Sequence, residues 1–340
     1  MQNNVFEVAK LYYEMGYSQE EIAARLEITQ SQVSKLLKEA KKLGIIREII
    51  SVPLASAEGD RIRQKYSHIE ECVVVQYRGN SSKVGNYIIL DELGKLGADH
   101  FRLHVKSNST IALGGGTTLG KIVEHLSEAF NIRNLKVYCV SIWCSNQIYE
   151  ISPQATISNI VSMYPGSLGY CSQPPALSKD MVEAGKTKEV YSRRTEEVLK
   201  EGMNAQVIYI GLGDIPQTLE GPIPRTDRLD FAQMLRDAEI KKQLLEKMAG
   251  ECGFWPYDIN GKILIPEDDD IDGGLQRLKL HVLGIPLVEL RRIVEEKTAI
   301  VCAIAGGPHK RRSVLGGLRA KIFNHLITDI SCAGYATESS

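Results

Sequence analysis

At 340 residues, with 43% hydrophobic and 24% charged side chains, the chain has material for a large core and exceeds the usual single domain. Its 41 Lys and Arg stand against 42 Asp and Glu, so a net charge of −1 excludes a general attraction to nucleic acid; any such affinity must be local. Seven cysteines, odd in number, scattered and without a CxxC pair, argue against a disulfide framework and against a zinc cluster. The start has no basic segment ahead of an apolar core, and no apolar run is long enough to span a bilayer, so the chain reads as soluble and cytoplasmic.

The first organised pattern runs from Tyr17 to Gly44. Ser18 followed by Glu21 is a capping box, which starts a helix whose apolar face is Ile22, Ala23 and Leu26. Glu27-Ile28-Thr29 ends it, and Thr29 with Gln32 repeats the capping signature for a second helix with Val33, Leu36, Leu37 and Ala40 as its buried stripe. Gln30, Ser31, Gln32, Ser34, Lys35 and Lys38 then project outwards. Amide, hydroxyl and ammonium groups at the front of a second helix suit base edges and phosphates in a major groove. With Lys41 and Lys42 against only Glu39, this helix is a local basic stripe, enough for a few phosphate contacts. The expected DNA-binding residues are Ser18, Gln19, Thr29, Gln30, Ser31, Gln32, Ser34, Lys35 and Lys38, on operator DNA that a self-associated dimer or tetramer reads as a repeat. The bland reading of the same pattern is a solvated amphipathic helix pair.

Ile45 to Val52 reads as a strand. The domain boundary follows, giving a helix-turn-helix domain over 1–52, a linker over 53–58 and a larger domain over 59–340. In the larger domain apolar runs alternate with helical periodicity: strands at 72–77, 109–114, 135–142, 167–172, 205–213 and 298–305, helices at 82–103, from Thr117, at 187–201 and at 286–297, and a last helix and strand towards Asp329. Such alternation predicts an α/β fold with a mainly parallel sheet, Rossmann-like in build, covered on both faces. The acidic run at 267–270 reads as a solvated loop.

Gly114, Gly115, Gly116, Thr117 and Thr118 join a β-branched strand to an amphipathic helix. Glycines admit an anion to backbone N–H groups, the helix start adds partial positive charge, and the threonines can donate hydroxyl hydrogen bonds. The run is neither a Walker A loop nor a GxGxxG fingerprint, which disfavours a nucleotide, and it also serves as a plain strand-to-helix turn. Gly211, Gly213 and Asp214 follow another strand, as does the segment carrying His309 and Lys310, and Asp329 closes the last. Lys310 suits a phosphate, Asp214 or Asp329 suits sugar hydroxyls or the orientation of that lysine, and Asp258 counts among the candidate effector-binding residues. Each has a structural alternative: a solvent-facing lysine, a hairpin turn at Asp258, and a helix cap at Asp329.

In this order of parts the chain resembles the SorC family of sugar-responsive bacterial transcription regulators, over nearly its whole length. The motifs are Ser18 to Thr29, Val33 to Ala40, the Gly-Gly-Thr-Thr of Gly115 to Thr118, Gly211-Leu212-Gly213, Ala305 to Lys310, and Leu326 to Asp329. The helix-turn-helix by itself also resembles the promoter-reading region of sigma factors. The resemblance implies a sheet domain related to sugar-phosphate isomerases and deaminases, a sugar-phosphate effector and an oligomer. Ile142 to Gln147 and the helical stretch from Gln217 to Gly250 depart from the family pattern where ligand identity is set. The rival reading is an active sugar-phosphate isomerase or deaminase, for which His309 and Asp214 are conceivable; it needs a positioned base and acid, and no local constellation supplies them. A third reading is a purely structural DNA-bridging protein. No metal site, cofactor or catalytic residue is expected.

Overall fold

The computed structural model describes residues 2–43, 45, 53–77, 83–126, 132–140, 152–171, 193–216, 229–265, 273–281 and 284–339. They fall into two units, Met1–Ser51 and Val52–Ser340, each with a hydrophobic core of its own.

The first unit holds α1 (Gln2–Tyr13), α2 (Gln19–Arg25) and α3 (Gln30–Lys42). Both capping boxes read from the sequence are formed. The Ser18 hydroxyl accepts from the Glu21 amide at 3.2 Å while the Glu21 carboxylate accepts from the Ser18 amide at 2.8 Å. Thr29 and Gln32 repeat the exchange at 3.2 and 2.8 Å. Between the helices Glu27 adopts φ +53°, a left-handed residue that reverses the chain in little length. The sequence reading passed over α1, which buries Val8 against Ile22, Ala23, Val33 and Leu37, and Val5 and Ala9 against Ala40. Its signal was available in Val5, Val8, Ala9 and Tyr12, the i, i+3, i+4, i+7 face that a helix pair needs to close a core.

The strand expected at 45–52 lies, apart from Ile45, outside the described residues. Residues 53–58 are not the linker expected of them. Leu54 bridges Val75 in antiparallel sense, the Ala55 amide donates to Val74 at 2.8 Å and the Gln76 amide to Pro53 at 2.7 Å, and a helix begins at Ser56. The open side of an edge strand offers unpaired backbone groups, and this segment takes them up.

The second unit runs α4 (Ser56–Lys65), β1 (Glu71–Val75), α5 (Lys83–His104), β2 (Thr110–Leu113), α6 (Thr117–His125), β3 (Lys136–Cys139), α7 (Pro153–Met163) and β4 (Leu168–Tyr170). It continues with α8 (Arg193–Met203), β5 (Val207–Gly211), α9 (Leu229–Asp237), α10 (Lys242–Lys247), β6 (Met248–Cys252), β7 (Trp255–Asp258) and α11 (Gly273–His281). It ends with α12 (Leu287–Glu296), β8 (Ile300–Ile304), a short 3-10 turn at Pro308–Lys310, α13 (Arg311–Ala320), β9 (His325–Asp329) and α14 (Ile330–Glu338). Residues 142–147 and the loop expected at 267–270 lie outside the described residues.

Seven strands form one sheet in the order β1-β9-β8-β5-β2-β3-β4, every pair parallel. Successive strand residues point to opposite faces, yet β9 is buried throughout and β5 and β8 at all but one terminal residue, so both faces are covered. The chain winds from β2 outwards to β3 and β4, then returns to β5 on the other side of β2. That reversal makes the β2/β5 gap the switch point, where an open parallel sheet leaves a crevice at its carboxyl ends. The β6-β7 hairpin is separate and antiparallel, joined to the strand ends by a Gly213–Glu251 bridge. Helix α7 also went unread, although Ser152 caps it and Pro153 takes its first position, a clear start signal.

Asn324 ties the amino ends of β8 and β9 together. Only 2% exposed, it accepts from the Val301 amide at 2.7 Å and donates to the Ala299 carbonyl at 3.1 Å. Asn324→Ala leaves a buried donor and a part-buried acceptor unpaired, a loss of about 2 kcal/mol. Urea unfolding of the variant should show a lower midpoint at unchanged m-value; an unaltered midpoint would mean that water replaces both bonds.

Candidate functional site

The carboxyl ends of β2, β5 and β8 and the β6-β7 turn enclose one cleft. Gly114 to Thr118, Gly211, Gly213, Asp214 and Lys310 all line it. The β2 and β5 turns are held in step, because the Gly114 amide donates to the Tyr209 carbonyl at 3.1 Å. Gly116 then sits at φ +108°, ψ 164°, as the N-cap of α6, and supplies no side chain to cap it. The first amides of α6 thus open a helix whose dipole puts roughly half a positive charge at this end.

Lys310 is the cation of the cleft and is mostly buried. Its Nζ donates to the Leu212 carbonyl at 2.6 Å and lies 3.5 Å from Asp214 Oδ1. Across from it, Glu251 accepts from the Phe254 amide at 2.7 Å and anchors the β6-β7 turn, where Gly253 and Phe254 both take positive φ. That turn carries the Phe254 ring into the lining, stacked on Phe231 of α9 at 6.0 Å. Phe231, Glu251, Cys252 and Phe254 belong to the cleft, and the sequence reading assigned none of them. It had located their stretch only as a departure from the family pattern. Burial first and the Glu251 charge second push the Cys252 thiol well up from its ordinary value, so it stays protonated and is a poor nucleophile.

Two expected ligand residues do not line the cleft. Asp258 is the hairpin residue of the alternative reading: its Oδ1 accepts from the Asn260 and Lys262 amides, each at 2.8 Å. Asp329 is fully buried as the N-cap of α14, where one carboxylate oxygen accepts from Cys332 at 3.3 Å and from Gly307 at 3.1 Å, fixing the β8 turn from behind. His309, the conceivable base, is not among the lining residues either.

In the helical unit Gln30, Ser31, Gln32, Lys35 and Lys38 are exposed on α3, Ser34 is half-buried, and Ser18 and Thr29 are the caps. Gln19 opens α2, half-buried. The Gln32 amide oxygen is engaged by both the amide and the hydroxyl of Thr29, at 2.8 and 3.0 Å, which leaves its NH2 group for other partners.

Residues 54–335 match the family described as "Putative sugar-binding domain", and residues 7–42 match region 4 of sigma-70. The chain belongs to that sugar-binding domain family. The resemblance to SorC regulators drawn from its motifs stands, and the helix-turn-helix has the sigma-like character read from it. The chain is 24% identical to the deoxyribonucleoside regulator of Bacillus subtilis over 95% of its length and 93% of that protein. It is 24% identical to the transcriptional regulator LsrR of an Enterobacter species over 97% and 91%. The fold is that of the full-length sorbitol operon regulator SorC from Klebsiella pneumoniae, with a TM-score of 0.71 and 20% identity over 99% of this chain and 98% of that one.

Two glycines of the cleft helix give opposite expectations. An added Cβ meets nothing within 4 Å at Gly116 or at Gly120, so packing is silent at both. At Gly116 the backbone angle is nearly closed to other residues, and Gly116→Ala should cost about 1–3 kcal/mol. Gly120 lies inside the helix, and Gly120→Ala should stabilise by about 0.5–1 kcal/mol. Denaturant midpoints moving in the same direction would show that the turn geometry is misassigned.

Proposed function

We propose that the chain is a sequence-specific DNA-binding transcription regulator whose C-terminal unit binds a small phosphorylated carbohydrate, and that the protein works as a cytoplasmic homo-oligomer without enzymatic activity. The observation that carries this is the cleft: one uncapped helix start on a glycine turn, one lysine and two carboxylates gathered at the switch point. The phosphate takes the Gly114 to Thr118 turn and Lys310. Asp214 and Glu251 accept from hydroxyls, and Phe254 covers the apolar face of the ring. The names of the B. subtilis and LsrR relatives support the regulator reading. The titratable groups among the described lining residues do not favour an isomerase: Asp214 faces Lys310, Glu251 is engaged by the Phe254 amide, and Cys252 is held as thiol.

DNA is read by α3, with Gln30, Ser31 and the Gln32 NH2 group towards base edges and Lys35 and Lys38 on phosphates. Two copies on a repeated operator supply the affinity that one short basic helix lacks. The effector changes DNA affinity by binding the two arrangements of the oligomer unequally, a coupling of about 1–3 kcal/mol, or 5- to 150-fold.

The test is fluorescence-anisotropy titration of DNA from upstream of the chain's own gene, at several salt concentrations, with and without a panel of sugar phosphates and their unphosphorylated sugars. Saturable binding altered by one phosphorylated compound is expected. Turnover of that compound by the purified chain would overturn the binding-only reading, and an equal response to the free sugar would remove the phosphate.

Paired variants separate the two sites. Lys35→Ala with Lys38→Ala should flatten the slope of log affinity against log salt by about 2, near 0.9 per lost phosphate contact, while leaving effector binding intact. Thr117→Val with Thr118→Val should leave DNA affinity intact and lose the effector response. A change in stability alone, in either pair, would remove that site.

A further inference from the structure

Far from the glycine turns, at the amino ends of β1 and β9, a second group of side chains converges. Glu71 opens β1 and pairs in register with His325, which opens β9. His100 and His104, four residues apart and therefore on one face of α5, meet them. One ligating atom from each of the four lies within 4.8 Å of those of the other three. His100 Nε2 is 2.9 Å from His325 Nδ1, His104 Nε2 is 3.2 Å from Glu71 Oε2, and His325 Nδ1 is 3.5 Å from that same oxygen. A tetrahedral zinc ion with bonds of about 2.0–2.1 Å holds its ligand atoms about 3.3 Å apart, and these separations straddle that value.

The surroundings suit ligation. The outer nitrogen of His100, Nδ1, lies 2.9 Å from the buried Tyr209 hydroxyl, which fixes the ring and leaves Nε2 turned to the cluster. His100 and His325 are buried, while the side chains of His104 and Glu71 remain 24% and 36% exposed, a way in from solvent.

We propose that Glu71, His100, His104 and His325 form a structural zinc site that clamps the edge strand β1 and its neighbour β9 to α5. Three imidazoles with one carboxylate select a borderline transition metal over magnesium or calcium, which prefer oxygen donors. Four protein ligands fill a tetrahedral shell and leave no position for a reactive water, so the ion holds structure and performs no chemistry. The cysteine pattern that argued against zinc has no bearing on this site, because the fold assembles it from positions 71, 100, 104 and 325. Without metal, the same residues form a buried hydrogen-bonded histidine chain, and the two arrangements are separable by experiment.

The untagged full-length chain, stripped with chelator, is titrated with zinc chloride and separately with magnesium chloride in a calorimeter, with a competing chromophoric chelator for affinity. One zinc per chain and no magnesium are expected. His104→Ala and Glu71→Gln, both at the solvent side, should weaken zinc binding by roughly 100-fold or more, and Tyr209→Phe, which loses only the outer hydrogen bond, by roughly 10- to 100-fold. Cobalt in place of zinc should give the strong visible bands of a tetrahedral site in the wild-type chain and not in His104→Ala. A wild-type chain that takes up no zinc overturns the proposal. So does zinc affinity that stays within about threefold of wild type in both His104→Ala and Glu71→Gln.

Discussion

The ligand-facing end of the C-terminal unit depends on the pairing of β2 with β5. The two strands are far apart in sequence and run parallel, with Leu113 level with Tyr209. One further hydrogen bond, from the Gly114 amide to the Tyr209 carbonyl, carries that register past the last paired residue and into the turn. The two glycine turns therefore leave the sheet at the same height, on either side of the point where the winding reverses. Lys310, arriving from β8, reaches across to the Leu212 carbonyl and completes the third side of the cleft. A slip of one residue in the β2–β5 ladder would turn every buried side chain of the strand to the wrong face, so the burial of both faces also protects the geometry of the cleft.

Polar groups behind the cleft keep the turns rigid. Asp329 spans the β8 turn and the start of α14 through one oxygen, and Ser313 donates to the Gly213 carbonyl at 2.8 Å while meeting the Tyr257 hydroxyl at 3.1 Å. Ser313 and Tyr257 are buried and hydrogen-bonded, the condition under which a polar group inside a core stabilises it, while Asp329 is engaged through Oδ1 and its buried Oδ2 has no hydrogen-bond partner among the described residues. The expectation that Asp329 contacts a ligand thus gives way to a supporting role: the LITD motif shapes the neighbouring turn from inside the protein. Sequence position at a strand's carboxyl end indicated proximity to the cleft. It left open whether the carboxylate faced out to solvent or in to the next helix cap.

Local signals were legible wherever the chemistry was local. Ser18 with Glu21 and Thr29 with Gln32 marked two helix starts, and the glycine run marked the β2–α6 turn, since capping boxes and left-handed turns are properties of four or five adjacent residues. Strand alternation likewise foretold the parallel sheet. The parts that escaped are those assembled over distance. Phe254 enters the cleft because the short β6-β7 hairpin bridges back to Gly213, and no periodicity in CGFWPYDINGK announces that bridge. Phe231 arrives from a helix whose preceding segment lies outside the described residues. The Glu71, His100, His104 and His325 group escaped for the same reason: only the i, i+4 pair on α5 was adjacent in sequence. Residues 53–58 pack on β1 although Pro53, Ser56 and the following Gly59 describe exposed backbone in general, because the open edge of β1 is not visible from them.

The charge balance of the cleft bears on how it can hold a ligand. Lys310 is already satisfied by a carbonyl and by Asp214, so any ligand that engages it must exchange one set of partners for another. The net gain is the difference between the two sets, smaller than a bare buried ammonium would give. The partial positive charge at the start of α6 is instead fixed by the helix and involves no proton transfer. Such a site favours reversible occupancy, the condition under which a ligand's concentration can shift a population.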